Sequence, residues 1–295
     1  MEPKLYKFSG AGNDFVVIDG REGDVSAFRE VPRIEALCKE FKTDGLMILG
    51  SGDVGVDFTM EFYNPDGSGG MMCGNGGRCI VAFADYLGIH PSCHPELAEG
   101  SYLFMAPDGL HTGEILERPE DGLWTVRIKM IDVQGIMPML GGYFLNTGTR
   151  HFVKFVEDVE QVDVDAEGKA LRWNEAFAPI GTNVNFVHVA PDGLHVRTFE
   201  KGVEGETLAC GTGLTASAIA AYENSRLRPA GFTRNDNDPV ISTKAGGRVE
   251  KSVRLRARQD WLSVNFTPGP DDTFNDVYLT GPARLVGINE GSARG

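Results

Sequence analysis

The stretches Cys73-Gly74-Asn75-Gly76 and Cys210-Gly211-Thr212-Gly213 lie in opposite halves of the chain and repeat one pattern. Each begins with a cysteine, and each is followed by a run of small and apolar residues. Glycine lets the backbone approach a ligand closely, and a helix that begins at such a turn offers unpaired N–H groups to it. The pattern predicts two thiols, each on a glycine turn at the start of a buried helix.

Two thiols of this kind suit the removal of a proton from one face of a carbon and the return of a proton to the other face. An ordinary cysteine has a pKa of about 8.5, and a helix N-terminus lowers that value. We therefore expect Cys73 and Cys210 to be catalytic, one starting as thiolate and the other as thiol. The amides of Gly74-Asn75 and Gly211-Thr212 are expected to bind a carboxylate and to stabilise the enolate-like charge that develops on it.

Composition limits the classes of function that fit. The 295 residues are enough for two domains, and the 41% hydrophobic and 24% charged content is ordinary for a globular protein. A net charge of -14 argues against nucleic acid or an anionic membrane as partner. No apolar segment approaches the roughly 18 residues of a membrane span, and no signal peptide is visible. With an odd count of five cysteines, these features predict a cytoplasmic protein.

The remaining cysteines favour structural roles. Cys38, Cys79 and Cys93 are predicted to be small core residues. Cys93 and His94 have no second ligand pair at zinc spacing, so we expect no metal site. Neither glycine turn has the spacing of a phosphate-binding loop.

The hydrophobic pattern predicts a mixed α+β fold. Alternating or apolar runs predict strands over residues 5–8, 14–18, 46–49, 56–63, 102–106, 124–130, 143–145, 151–155, 183–189, 194–199, 253–257, 262–266 and 276–279. Helices are predicted over residues 31–41, 79–87 and 214–224, and hairpin turns at Asp108-Gly109 and Asp192-Gly193.

The helices over 79–87 and 214–224 carry small or apolar residues on nearly every face, which predicts that both are buried. We therefore expect two halves, each a curved, mostly antiparallel sheet or barrel around one central helix. The seam between them is predicted near Asp132.

Several motifs give the chain a family resemblance. They are residues 10–16 (Gly-Ala-Gly-Asn-Asp-Phe-Val), 63–68 (Tyr-Asn-Pro-Asp-Gly-Ser), 72–79 (Met-Cys-Gly-Asn-Gly-Gly-Arg-Cys), 183–186 (Asn-Val-Asn-Phe), 205–213 (Gly-Glu-Thr-Leu-Ala-Cys-Gly-Thr-Gly) and 278–283 (Tyr-Leu-Thr-Gly-Pro-Ala). Across essentially its whole length the chain resembles the diaminopimelate epimerases, cofactor-independent enzymes of lysine and peptidoglycan precursor synthesis. The two cysteine motifs together are the specific part of this resemblance.

The resemblance implies pseudo-symmetric halves with the active site in the cleft between them. Residues 1–131 with 277–295 would form the N-terminal half, which carries Cys73, and residues 132–276 the C-terminal half, which carries Cys210. The implied reaction is the epimerisation of LL- to meso-2,6-diaminopimelate by a two-base mechanism, without cofactor or metal. A homodimer is implied only by analogy with relatives that dimerise.

The resemblance also implies roles for further residues. Gly74, Asn75, Gly211 and Thr212 take the positions whose backbone holds the reacting carboxylate. Asn64 and Asn183 fall where the family grips the distal end of the substrate, and Asn13 matches another site position. His151 and Glu200 match residues close to the thiols, where they would orient the substrate ammonium or tune the cysteines.

Two departures from the family pattern concern residues expected to bind the distal end of the substrate. Lys201, assigned here to substrate binding, stands where the family has an arginine, and one extra residue follows before Gly205-Glu206-Thr207. Lysine offers a point charge where arginine clamps a carboxylate with two bonds. The usual Asn-Pro-His reads Thr149-Arg150-His151. Arg150 would either replace the lost guanidinium or be a solvated surface charge.

Three alternatives stay open from the residues. The departures at Lys201 and Thr149 are compatible with a racemase of another amino acid, such as histidine, on the same fold. The first cysteine motif argues against a proline racemase. A non-catalytic binding homologue would not need either thiol. A thiol-redox protein would form a reversible Cys73–Cys210 disulfide during turnover.

Overall fold

The chain divides into two units in the computed structural model, which describes residues 3–70, 72–92, 97–98, 100–118, 121–226, 240–245, 248–258 and 260–289. One unit comprises Met1–Ile128 with Gly281–Gly295, and the other comprises Lys129–Thr280. Cys93 and His94, for which we predicted a structural role and no metal site, lie outside the described residues.

The first unit is a closed ring of paired strands. Its strands are β1 (Leu5–Gly10), β2 (Asn13–Asp19), β3 (Gly45–Ser51), β4 (Phe58–Tyr63), β5 (Ser101–Ala106), β6 (Gly109–Glu117), β7 (Leu123–Lys129) and the second half of β17 (Phe274–Asn289). Each strand pairs with the next, in parallel at β2–β3 and β4–β5 and antiparallel elsewhere. Because β17 pairs with both β7 and β1, the ring closes.

Two helices pack on this ring. Helix α1 (Val31–Phe41) lies against β2 and β3 over a cluster that includes Ile34 and Leu37. Helix α2 (Gly74–Tyr86) packs against β1, β2, β3 and β6 and is buried at every residue from Gly74 to Ala84. The small and apolar composition of this helix accounts for its burial on all sides.

The second unit is built from the same kinds of element, paired strands and two helices. Its strands are β8 (Ile136–Met139), β9 (Gly142–Asn146), β10 (Arg150–Phe155), β11 (Asn183–Ala190), β12 (Gly193–Glu200), β13 (Gly205–Thr207), β14 (Val240–Ala245), β15 (Arg248–Arg256), β16 (Trp261–Pro268) and the first half of β17. Helix α3 (Val164–Arg172) packs on β11 and β12, and helix α4 (Gly211–Arg226) packs on β9, β10, β11, β12, β15 and β16.

The two units share one order of strand pairings. From β1 to β7 the pairs run antiparallel, parallel, antiparallel, parallel, antiparallel, antiparallel. The same order recurs along β9, β10, β11, β12, β15, β16 and β17. Helices α1 and α3 follow the second strand of each series, and α2 and α4 come between the fourth and fifth. The two cysteine motifs therefore occupy equivalent places in the two units.

The mixed α+β class is confirmed, as are all three predicted helices. Helices α2 and α4 begin earlier than predicted, at Gly74 and Gly211, because packing outweighs the weak helix propensity of their glycines. Both hairpins exist, but Gly109 and Gly193 begin the second strand and do not form the turn tip. No helix among the described residues is long and apolar enough to cross a membrane.

Strand β1 packs closely against helix α2 at Gly10. A Cβ added at Gly10 would lie 2.8 Å from Cys79 Sγ and 2.9 Å from the backbone oxygen of Asn75, which cannot move aside. We expect Gly10→Ala to lower the free energy of unfolding by about 1–3 kcal/mol in urea titrations. Gly287→Ala, on the neighbouring strand β17, meets no described atom within 4 Å and should stay within about 0.5 kcal/mol. Equal losses in the two variants would contradict this packing.

Candidate active site

Cys73 caps the N-terminus of α2. Its Sγ accepts a hydrogen bond from the Gly76 N–H at 3.2 Å, and its carbonyl accepts from the Gly77 N–H at 2.8 Å. The Cys73 side chain is exposed although the helix behind it is buried. The sequence thus places an accessible sulfur at a helix N-terminus, where backbone donors and the helix dipole favour a negative charge.

Side-chain bonds fix the backbone after Cys73. The amide nitrogen of Asn75 donates to Asn13 Oδ1 at 2.6 Å, and Asn75 Oδ1 accepts from Arg78 Nη2 at 2.8 Å. Arg78 is fully buried and also donates to the carbonyls of Gly74 at 3.1 Å and Pro282 at 3.3 Å. Two predicted site residues, Asn13 and Asn75, are therefore brought together. Arg78, which belongs to the first cysteine motif, was not predicted to take part in the site.

Asn64 is held in a turn of its own at the end of β4. Its side-chain nitrogen donates to Ser68 Oγ at 3.0 Å, and its backbone N–H donates to the Ser68 carbonyl at 2.9 Å. Its amide is thus engaged within this turn and not with the Asn13–Asn75 pair.

Cys210 precedes α4 as Cys73 precedes α2, and the two cysteines share the backbone bond that begins the helix. The Cys210 carbonyl accepts from the Leu214 N–H at 2.9 Å, and its Sγ lies 3.4 Å from Thr212 Oγ1. Cys210 is 8% exposed. The glycine at 213 is required, because a Cβ there would lie 2.4 Å from Asn185 Oδ1. The second turn therefore places its sulfur beside a hydroxyl.

His151 lies fully buried behind this turn. Its Nδ1 is 3.0 Å from the side-chain nitrogen of Asn185, which also faces the Phe152 carbonyl at 3.4 Å. Its Nε2 is 2.9 Å from the hydroxyls of both Thr149 and Thr212. Burial lowers the pKa of His151 to about 3. His151 is therefore a neutral imidazole. The Asn185 nitrogen faces a carbonyl as well as Nδ1 and so donates to Nδ1, which leaves the proton of the ring on Nε2, towards the turn that holds Cys210.

Asn183 links the residues that were predicted to lie at the distal end of the substrate. Its Oδ1 accepts from the Lys201 backbone N–H at 2.7 Å. Its side-chain nitrogen donates to Thr149 Oγ1 at 3.2 Å and to the Arg150 carbonyl at 3.0 Å. Asn183, Thr149 and Lys201 thus lie together, with the exposed Lys201 side chain at the edge of this group.

Arg150 fits neither of the roles considered for it. Its guanidinium lies 5.0 Å from the centre of the Phe144 ring and donates to the Phe177 carbonyl at 3.3 Å. Phe152, two residues along the same strand, also contacts the Phe177 ring. Side chains alternate along a strand, so Arg150 shares the face of Phe152, opposite to that of His151. It is a half-buried packing residue rather than a carboxylate clamp beside His151 or a solvated charge.

Glu200 ends β12, and its Oε2 accepts from the Thr207 hydroxyl at 2.9 Å. Burial raises the pKa of this carboxyl, and the Thr207 hydrogen bond partly offsets the rise. Cys38 and Cys79 are buried, which confirms the prediction that they are core residues, and this burial raises the pKa of both thiols. Within the described residues, no group of three or more His, Cys, Asp or Glu side chains could hold a metal ion.

Comparison with known proteins identifies relatives over most of the chain. The family model "Diaminopimelate epimerase" matches residues 5–103 and 143–266. The chain is 36% identical to the diaminopimelate epimerase of Flavobacterium psychrophilum, with 96% of this chain and 98% of that protein covered. It is 40% identical to the enzyme of that name from Aquifex aeolicus, with 96% and 95% covered.

A solved structure shares the fold at low identity. The PhzF-family phenazine biosynthesis protein of Bacillus anthracis matches with a TM-score of 0.66 at 12% identity, covering 98% of this chain and 99% of that one. At this identity the likeness shows the fold alone.

The protonation of His151 is directly measurable. We expect ¹⁵N NMR of histidine-labelled protein to show a protonated Nε2 and an unprotonated Nδ1 down to about pH 5, where a histidine peptide in the same buffer is mostly imidazolium. Because the folded-state pKa is lowered, the neutral form persists at acid pH and stability falls as the unfolded chain takes up the proton below its ordinary pKa. An imidazolium signal from His151 at about pH 5 would contradict the buried arrangement.

Proposed function

The chain belongs to the diaminopimelate epimerase family, and we propose that it interconverts LL- and meso-2,6-diaminopimelate with two cysteine thiols as its bases. The reaction would serve the synthesis of lysine and peptidoglycan precursors. The observation that carries the proposal is the paired cap: Cys73 and Cys210 begin helices α2 and α4, which occupy equivalent places in the two units. Cofactor independence, a cytoplasmic location, a homodimer and the predicted division into residues 1–131 with 277–295 and 132–276 stay predictions.

The proton transfers balance without redox chemistry. One cysteine thiolate takes the α-proton, the S–H bond forms, and the C–H electron pair is delocalised into the substrate carboxylate. The other thiol then gives its proton to the opposite face of the same carbon and becomes the thiolate. The mechanism requires both sulfurs to reach one α-carbon, and the two cysteines exchange roles with each turnover.

Backbone amides are proposed to stabilise the charge on the carboxylate. The donors are the N–H groups of Gly74-Asn75 and Gly211-Thr212 at the two helix starts. Their support comes from side chains, since Asn75 is fixed by Asn13 and Arg78. Such preorganised donors lower the energy of developing charge without reorganisation during the reaction.

The distal end of the substrate is proposed to meet Asn64, Asn183 and Lys201. Asn183 supports the backbone of Lys201, whose exposed ammonium would attract the distal carboxylate as a point charge. Glu200 would orient the substrate ammonium near the thiols. We assign His151 to holding Thr212, because a buried neutral imidazole is a hydrogen-bond partner and not an acid at physiological pH.

A racemase of another amino acid, such as histidine, is the second candidate. It is favoured by Lys201 and Thr149, which depart from the family pattern at the distal end. Incubation of the protein with a panel of amino acids in deuterium oxide separates the two. Uptake of α-deuterium by diaminopimelate above all others supports the epimerase, and faster uptake by a monocarboxylic amino acid supports the racemase.

Each catalytic thiol can be removed singly. We expect Cys73→Ala and Cys210→Ala to lower the rate of meso-diaminopimelate formation from the LL isomer by about 10²–10⁴-fold, because each removes one general acid–base group. Chiral chromatography without added pyridoxal phosphate measures this rate. Cys38→Ala, which alters a buried cysteine of α1, is the matched control and should keep the wild-type rate within a few-fold.

A wild-type rate in either Cys73→Ala or Cys210→Ala would overturn the two-base assignment. Inactivity of folded wild-type protein towards both isomers would overturn the proposed reaction itself.

A further inference from the structure

A chain of hydrogen bonds behind Cys210 has its donor directions set at both ends. At one end, Asn183 Oδ1 accepts from the Lys201 backbone N–H, so its nitrogen must face Thr149. The same nitrogen faces the Arg150 carbonyl, which can only accept. The orientation of the Asn183 amide is therefore settled, and Thr149 Oγ1 accepts a hydrogen bond from it.

The other end is settled in the same manner. Asn185 Oδ1 accepts from the Thr198 hydroxyl at 3.0 Å, and its nitrogen faces the Phe152 carbonyl. That nitrogen therefore donates to His151 Nδ1. Since the ring is neutral, His151 carries its proton on Nε2 and is a donor towards the hydroxyls of Thr149 and Thr212.

These two ends favour one direction for the hydroxyls between them. Thr149 accepts from Asn183 and cannot donate to the protonated Nε2 of His151. The acceptor that this group of hydrogen bonds offers to the O–H of Thr149 is Thr212 Oγ1, 3.2 Å away. Thr212 then accepts, and its own O–H is left to point at Cys210 Sγ, 3.4 Å away. A hydroxyl has one proton to donate, so with Thr149 donating to Thr212 the chain of hydrogen bonds ends on the sulfur.

We propose that Thr149 is a positioning residue, whose hydroxyl turns Thr212 into a hydrogen-bond donor aimed at Cys210 and so stabilises the Cys210 thiolate. A thiolate accepts such a bond more strongly than a thiol does, because bonds to charged acceptors are the stronger ones. The contribution to catalysis rests on the proposed function; the effect on the sulfur does not. Thr149 thus acts on the thiol end of the site, whereas its sequence position had pointed to the distal end.

Other ionisable groups lie on the elements that pack around α4. His151 on β10 faces the turn but is neutral, and Glu200 at the end of β12 is bonded to Thr207. Strand β11 contributes the uncharged Asn185, and β16 carries no ionisable side chain. Further ionisable groups of the elements around α4 lie towards the other end of that helix: Tyr143, Glu223 and Lys251.

The test is a titration of the cysteines in the full-length protein. Selective ¹³Cβ labelling of cysteine reports thiol and thiolate by NMR, with Cys210 assigned by its loss in Cys210→Ala. We expect Thr149→Val, which keeps the shape and removes the hydroxyl, to raise the Cys210 midpoint by about one pH unit, equivalent to the loss of one hydrogen bond. Thr149→Ser should retain the wild-type midpoint. In the direction of the reaction that uses the Cys210 thiolate as base, the acid limb of the pH profile of kcat/KM should shift together with the Cys210 midpoint.

Controls separate this effect from general disturbance. Cys73, in the other unit, should keep its midpoint in every variant. Thr43→Val, which alters a buried threonine of the first unit, should leave Cys210 unchanged. Thr149→Ala provides a second removal of the hydroxyl should the valine variant fold poorly.

An unchanged Cys210 midpoint in Thr149→Val or Thr149→Ala would overturn the inference, as would an equal shift in Thr149→Ser. Neither result bears on whether the wild-type protein epimerises diaminopimelate, so failure of the inference is distinct from failure of the proposed function.

Discussion

The N-terminus of a helix presents N–H groups that no carbonyl of that helix can reach, and burying such an end is costly unless an acceptor is at hand. Helix α2 is buried from its first residue, Gly74, and helix α4 from Gly213, and both start on a cysteine whose carbonyl accepts the first helical bond. At α2 the sulfur itself accepts a further N–H. The same unsatisfied donors that make these ends costly to bury make them suited to hold a substrate carboxylate beside a thiolate.

Glycines make this arrangement sterically feasible and at the same time weaken it. Each glycine within a helix costs about 0.5–1 kcal/mol relative to alanine. Larger residues have no room, since a Cβ at Gly213 would meet Asn185 Oδ1 and one at Gly76 would lie 3.3 Å from Cys73 Sγ. The strands packed around each helix hold these glycine-rich starts in helical form. Each cysteine turn therefore depends on the packing of its own unit, and not on local helix propensity.

Much of this arrangement could be predicted from the sequence because it has a local signal. The two cysteine turns, the buried helices behind them and helix α1 follow from residue patterns. Helix α3 was missed since Gly168 interrupts its pattern; the structure shows that a Cβ there would lie 2.4 Å from Phe199. Strands β6 and β13 were also missed, because buried and exposed side chains do not alternate clearly along β6 and because β13 has only three residues. Their places are set by pairing with distant strands, which no short window of sequence contains.

The same limit applies to the site. Resemblance to the family motifs predicts Asn13, Asn75, Asn183 and His151 as site residues, but not the contacts that hold them, such as those of Arg78 with Asn75 and of Asn185 with His151. The role of Arg150 depended on which face of β10 it occupies, and its contacts with Phe144 and Phe177 decide that. The polarity of the bonds around Thr149 depends on two amide orientations, which are fixed by two carbonyls of β10 and by the N–H of Lys201 after β12. Such contacts are properties of the fold rather than of the motif.

The central claim is that two different groups carry the proton away from and back to the substrate carbon. The most direct measurement is mass spectrometry of both isomers at low conversion, after LL-diaminopimelate has reacted with the wild-type protein in deuterium oxide. Two bases predict that the newly formed meso isomer carries α-deuterium, while the recovered LL isomer keeps its protium. Deuterium appearing in the recovered LL isomer as fast as in the product would indicate a single exchanging base and would contradict the account.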